Sequence, residues 1–398
     1  LKGGAPFGAR PPFQKENNIM SEVKRIFVIN TGSTATKVAL FENDKCVIKE
    51  NLREPAELTS TRLTPVDQLP ERTKSVMDFL RRNNIDLSTV DAIAARGGMT
   101  ASCQGGAYNV NKLMVDTLKY APATNHASSL SPLIGDELSR EYGIPCMIYD
   151  SINTDEMDDI ARISGLPEIT NAQGSHVLNP RAVARRVAEK MGMEYEQGRF
   201  IVAHMGGGIS VTAHKYGKIV DYADEYIGPM SPERSGMLPN IALVALCYDS
   251  GMTKAEMLKH ISGKGGLLAY LGTSDVQEVV ERINNGDEYA RLVLDAMAYQ
   301  IAKKIGEIAV VFSGEVDAII FTGGIAHSDY VLDQIIPRVK FIAPVERMPG
   351  EIEMEALAGG ILRVLEGKEE AKEFDVVPTG YESVEAFYAD LKAKGKEI

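Results

Sequence analysis

Residues 25–50 read RIFVINTGSTATKVALFENDKCVIKE, and the interpretation of this stretch decides the fold. It opens with Ile26-Phe27-Val28-Ile29, a short β-branched apolar run that predicts a buried strand. A loop of small residues follows, from Asn30 and Thr31 through Gly32, Ser33, Thr34, Ala35 and Thr36 to Lys37. In P-loop and dinucleotide-binding folds such a loop runs into a helix whose N-terminus faces the phosphate. Here the chain continues as a second strand at Val38-Ala39-Leu40-Phe41. It turns at Glu42-Asn43-Asp44 and returns as a third strand at Cys46-Val47-Ile48. The result is strand, loop, strand and hairpin, without a G-x-x-x-x-G-K-[ST] pattern.

The same arrangement recurs at 199–224, RFIVAHMGGGISVTAHKYGKIVDYAD. Aligning Arg199 on Arg25 puts His204 on Asn30 and Gly206 on Gly32. A second echo pairs TVDAIAARGGMT, from Thr89, with EVDAIIFTGGIA, from Glu315; both are strands ending in Gly-Gly, at Gly97-Gly98 and Gly323-Gly324. Two echoes in the same order predict duplication: two similar α/β halves facing each other, with the loops lining the cleft between them.

Composition bounds what such a molecule does. The 398 residues are 44% hydrophobic and 25% charged, enough for two sizeable globular domains. A net charge of −12 argues against a nucleic-acid or anionic-membrane surface. An anionic ligand must therefore be held by a few local cations and backbone amides. Cys46, Cys103, Cys146 and Cys247 are scattered without a C-x-x-C, so reduced thiols in a cytoplasmic protein are expected. No apolar run reaches the ~18 residues of a membrane helix. Residues 1–22 read as an artificial or flexible leader, with Met20 as the natural start.

Further along, helical spacing is expected over 65–82, 111–120 and 129–142, with Gly143 as a C-cap. A strand over 144–149 delivers Asp150 to its carboxyl end, where α/β sheets tend to place functional groups. Further helices are expected over 179–191, 253–261, 287–311, 330–336 and 353–365. A helix over 238–248 is apolar enough to predict burial, and the Gly-rich stretch 263–275 reads as a loop. The segment 376–398 has room for a short amphipathic helix.

Small-residue loops between strands expose backbone N–H groups that can cradle phosphate oxygens. Asn30, Gly32, Ser33 and Lys37 in one loop, with His204, Gly206, Gly207 and Gly208 in the other, would hold a nucleotide triphosphate from both sides. The same residues also suit tight hairpin connections that need glycine for backbone reasons. Arg96 stands between a strand and Gly-Gly, and Arg234 lies in Ser231-Pro232-Glu233-Arg234; each reads equally as a solvated loop arginine. His176 could equally be a capping or core histidine, and Asp150 a helix cap.

Taken together these residues resemble the acetate kinase family of the actin/hexokinase/Hsp70-like ATPases. The resemblance spans 25–365 and rests on three motifs: Val28-Ile29-Asn30-Thr31-Gly32-Ser33 with Lys37, Ala203-His204-Met205-Gly206-Gly207-Gly208, and Phe321-Thr322-Gly323-Gly324-Ile325. His176-Val177-Leu178-Asn179-Pro180-Arg181 and the run 353–358 are more similar to the butyrate-using branch than to the acetate-using one. The resemblance implies two duplicated ribonuclease-H-like, actin-like ATPase domains with a nucleotide cleft between them. Residues 23–155, completed by a helix over 353–367, would form the first, 156–352 the second, and 368–398 a tail.

It also implies ATP-dependent, reversible phosphorylation of a short-chain carboxylate, butyrate or isobutyrate, with ATP and Mg²⁺ as cofactors. A homo-oligomer is implied as well. Acetate or propionate is the nearest alternative substrate, and a non-kinase actin-like or Hsp70-like ATPase the alternative from another class. By resemblance Arg96 would hold the carboxylate, and His176 and Arg234 the transferring phosphoryl group. Asp150 and Glu353, or Glu355 in its place, would order Mg²⁺ with Asn30. Asp275, Gly323, Gly324 and Ile325 would lie along the adenosine. The chain departs from the acetate type after Gly-Gly-Ile, with Ala326-His327-Ser328, and at Thr273-Ser274-Asp275-Val276-Gln277.

Overall fold

The computed structural model describes residues 23–58, 63–224 and 226–396, so the leader expected over 1–22 lies outside them. Strands β1 (Arg25–Thr31), β2 (Ala35–Glu42) and β3 (Lys45–Arg53) form the antiparallel meander expected from the opening stretch. Helix α1 (Leu69–Arg82) leads to β4 (Ala92–Arg96), which runs parallel to β1. Then come β5 (Ala107–Asn109), α2 (Lys112–Tyr120), α3 (Leu130–Tyr142) and β6 (Cys146–Tyr149). Gly143 ends α3 in the left-handed conformation, as its place in the sequence suggests.

A short helix α4 (Asp159–Arg162) and the hairpin β7 (Ile163–Leu166) and β8 (Ile169–Thr170) precede α5 (Leu178–Lys190). Strands β9 (Arg199–Met205), β10 (Ile209–Lys215) and β11 (Lys218–Ala223) repeat the meander. Helices α6 (Asn240–Asp249), α7 (Lys254–Gly263), α8 (Gly266–Leu271), α9 (Val276–Asn284) and α10 (Glu288–Ala309) follow. The chain closes with β12 (Ala318–Gly323), α11 (Asp329–Val339), β13 (Val345–Pro349), α12 (Glu353–Leu365), β14 (Lys372–Glu373) and α13 (Val384–Ala393).

The duplication is visible in strand order. One sheet runs β14-β5-β6-β4-β1-β2-β3 and the other β11-β10-β9-β12-β13. In each, a three-strand meander is followed by two strands parallel to its first, so β1, β4 and β6 correspond to β9, β12 and β13. Register extends the match: Asn30 lies opposite Lys37 as His204 lies opposite Ser210. The central strands are buried throughout because helices cover both sheet faces, which explains their unbroken apolar runs.

Helix α12 packs on β1, β4 and β6, while α5 packs on β9 and β12. These two helices also pack against each other and so join the halves. The segment after 368 packs back on the first sheet: β14 pairs with β5, and Phe374, Phe387 and Leu391 are buried.

Two expectations fail. Helix α6 buries none of its residues; Ile241 is 84% and Tyr248 86% exposed. Among the described residues nothing covers its apolar side chains. The stretch 263–275 is not all loop, since α8 occupies its middle. Its glycines serve close approach: a Cβ on Gly266 would strike the Ser231 carbonyl, and one on Gly265 the backbone of Arg234 and Ser235.

Candidate active site

Strand ends from both sheets deliver the site. Asn30, at the end of β1, is buried and donates from Nδ2 to Glu353 Oε2 at 2.9 Å. Arg96, at the end of β4, donates from Nη1 to Asn30 Oδ1 at 3.3 Å and pairs through Nη2 with Glu353 Oε1 at 3.3 Å. Glu353 opens α12, so its carboxylate also meets the positive end of that helix. Three residues far apart in sequence thus share one polar cluster, and the carboxylate in it is Glu353. Glu355, the alternative, lines a cleft together with Lys37, Glu351 and Glu353 itself, and Glu353 is the one bonded to Asn30 and Arg96. Lys37 is exposed on β2, in the register position opposite Asn30.

The second half brings two histidines. His176, just before α5, stacks on His204, at the end of β9, with ring centroids 4.1 Å apart. Ser210 Oγ accepts the His176 backbone N–H and lies 2.9 Å from its Nδ1. A hydroxyl hydrogen directed at Nδ1 leaves Nε2 as the ring N–H donor. On His204, Nδ1 accepts from Asn179 Nδ2 at 3.0 Å, and Nε2 points toward Glu351 at 3.9 Å.

Burial, then His204, Arg234 and other neighbouring charges, push the His176 pKa down to about 3; Glu353 acts the other way. Burial takes His204 down to about 4. Both rings are therefore neutral at pH 7. His176 can therefore hold a phosphoryl group only as a neutral hydrogen-bond donor, not as a cation. Arg96, Arg234 and Glu353 thus all lie near enough to His176 to act on its charge.

Arg234 rests on the second loop, where a Cβ on Gly208 would collide with its guanidinium. Ser231 Oγ donates to Gly207 O at 2.7 Å and accepts from Arg234 N at 3.2 Å, tying the arginine's turn to that loop. Gly206 and Gly207 then border a 650 Å³ cavity with Asp275, Gly324, Ile325 and Tyr330. That volume suits a nucleotide-sized ligand. Gly323 sits at φ +86°, against the Met205 backbone, where no side chain fits. Asp275 caps α9, its Oδ1 accepting from Gln277 N at 2.8 Å.

Asp150 follows β6 at φ +44° and is held from behind. Its Oδ1 pairs with Arg181 Nη1 at 3.2 Å and accepts from Gly106 N at 2.9 Å. Arg181, on α5, also pairs with Glu156 at 2.5 Å, and a Cβ on Gly105 would overlap its guanidinium.

Sequence reasoning overlooked three residues. His126 lies near enough to Arg96 to feel its charge, which adds to burial in lowering its pKa. Arg181 stood in the motif at 176–181 without a role of its own. Arg72, on α1, is fully buried behind the first loop. Arg72 and Arg181 share a signal: each is a charge at core spacing, within three or four residues of buried Leu69 and Val76, or of buried Leu178 and Ala184.

Residues 170–345 match the model of the acetokinase family. The chain is 46% identical to "Probable butyrate kinase 2" of Caldanaerobacter subterraneus subsp. tengcongensis, over 87% of this chain and 99% of that protein. It is 43% identical to "Butyrate kinase 1" of Clostridium acetobutylicum, over 88% and 99%. Among solved structures, the acetate kinase of Porphyromonas gingivalis superposes with a TM-score of 0.72 at 20% identity, covering 86% of this chain and 100% of that one. The duplicated meanders and the paired Gly-rich loops are thus a shared architecture, and the chain belongs to the acetokinase family.

Proposed function

We propose that the protein transfers the γ-phosphoryl group of ATP to a short-chain carboxylate, butyrate above others, and runs the reaction in reverse to make ATP. The reading rests on one observation: the Arg96–Glu353 pair of the first half and Arg234 of the second all lie near enough to His176 to act on it. The names of the curated relatives support butyrate as the acid.

A carboxylic acid of this kind titrates near pH 4 to 5, so the nucleophile is already ionised at neutral pH and needs no general base. What it needs is cancellation of charge as one anion approaches another. Arg96 would exchange its contact with Glu353 for the substrate carboxylate. One carboxylate oxygen would form a bond to the γ-phosphorus in line with the bond to the β,γ-bridging oxygen. That bond breaks, and ADP keeps its electron pair. Arg234 and the Nε2–H of His176 would donate to the transferring oxygens. The amides of 33–35 and 207–208 would hold the phosphate chain, those of Gly32 and Gly206 being bonded within their loops to the carbonyls of Ala35 and Gly208, and the 650 Å³ cavity would hold the adenosine.

Asn30 and Glu353 fit Mg²⁺, which takes few protein carboxylates and keeps several waters. Bound there, the ion would neutralise phosphate charge. Asp150, oriented by Arg181, would face its waters.

The halves 23–155 with 353–367, and 156–352, would act as two jaws. The exposed apolar helix α6 supports a homo-oligomer. The free cysteines fit a cytoplasmic site of action. No helix among the described residues is long and apolar enough to cross a membrane.

Substrate ranking tests the acid. Each buried methylene contributes ~0.8 kcal/mol, so two beyond acetate give about 1.6 kcal/mol, or roughly 15-fold in kcat/KM. Butyrate is expected to lead acetate by that margin, with propionate between and isobutyrate also used. Acetate in first place would sink the butyrate assignment and leave acetate or propionate kinase standing.

A further inference from the structure

Arg72 is the bulkiest fully buried side chain among the described residues, and it lies on the apolar stripe of α1. Burying a guanidinium there costs more than burying the aliphatic residue the stripe calls for. Its hydrogen bonds converge on one loop. Nη1 donates to Gly32 O at 2.9 Å, Thr36 Oγ1 at 3.2 Å and Ala35 O at 3.4 Å, and Nη2 donates to Ser33 O at 3.1 Å. One turn earlier, Gln68 Oε1 accepts from Nε at 3.1 Å and Nη2 at 2.9 Å, fixing the plane of the fork. The remaining carbonyl of the loop, on Thr34, accepts from Glu54 N at 3.1 Å.

All four consecutive carbonyls, 32 to 35, are therefore engaged by the protein: those of Gly32, Ser33 and Ala35 by Arg72, that of Thr34 by the Glu54 amide, and that of Ala35 also by the Gly32 amide. In a planar trans peptide each C=O opposes the N–H that follows it. Turning the carbonyls of Gly32, Ser33 and Thr34 inward directs the N–H groups of Ser33, Thr34 and Ala35 the other way. Ser33 and Thr34 are exposed, so that face of the loop is open. Three convergent amides backed by a buried positive charge form a receptor for an anion.

We propose that Arg72 is a positioning residue: its guanidinium locks 32–35 as a preformed amide cradle for the phosphates of ATP. The inference rests on the kinase reading above and extends it to a group that touches neither substrate. A preorganised cradle affects phosphate affinity and leaves adenosine affinity alone, which separates it from a purely structural role.

The test is equilibrium binding of ATP and of adenosine to the full chain and to Arg72→Met, Arg72→Lys and Gln68→Met, each checked for its melting temperature. Arg72→Met is expected to weaken ATP roughly ten- to hundredfold, the range for losing charge-assisted donors, with adenosine unchanged. Arg72→Lys keeps the charge but not the fork and falls between. Unchanged ATP affinity in a folded Arg72→Met, or equal weakening of ATP and adenosine, overturns the proposal. If neither Arg72 variant folds, Gln68→Met decides on the same comparison: selective loss of ATP supports the cradle, and unchanged ATP affinity refutes it. A wild-type protein that binds ATP but forms no acyl phosphate would refute the kinase reading and leave the cradle intact.

Discussion

Truncating Arg96 to alanine removes its ion pair with Glu353 and leaves the Asn30–Glu353 hydrogen bond in place. Truncating Arg234 frees the space over Gly208 without touching a sheet. Neither side chain is part of a hydrophobic core, so both variants are expected to fold. Each should lose ~10²–10³ in kcat, the usual cost of one charge-stabilising donor. Wild-type kcat/KM in either variant would remove that residue from the mechanism. Asn30 and Glu353 were brought together from sequence through the family resemblance alone; that Arg96 joins them depends on α12 returning across β1 and β4. The protonation state of His176 was also out of reach, because burial sets it. Arg72 and Arg181 were legible in principle, as charges at apolar spacing.

At the scale of elements, local patterns that bury themselves locally were readable. The meanders, the Gly-Gly strand ends and the Gly143 cap follow from alternation, turn residues and backbone freedom. Helix α6 was misread because apolar content predicts burial without saying against what. With Ile241, Val244 and Tyr248 all more than half exposed, its surface suits a second copy of the chain. Light scattering should give the wild-type protein a multiple of the 43.3 kDa chain mass, and Ile241→Asp with Val244→Asp a lower one. A monomeric wild type, or a double variant of unchanged mass, would contradict that assignment.

For the whole molecule, duplication was legible because two echoes occur in the same order, and the two sheets reproduce it strand for strand. Long-range placement was not, since bringing 176, 204 and 234 toward 30, 96 and 353 depends on how the halves pack. Family resemblance supplied what spacing could not. The central claim is that this shared cleft joins phosphate to a carboxylate and is not simply an ATPase of the actin or Hsp70 kind. Phosphorus NMR of the protein with ATP, Mg²⁺ and butyrate tests it directly. The account predicts an acyl phosphate resonance growing in step with ADP. ADP and inorganic phosphate appearing from the outset, with no acyl phosphate and no dependence on butyrate, would contradict it.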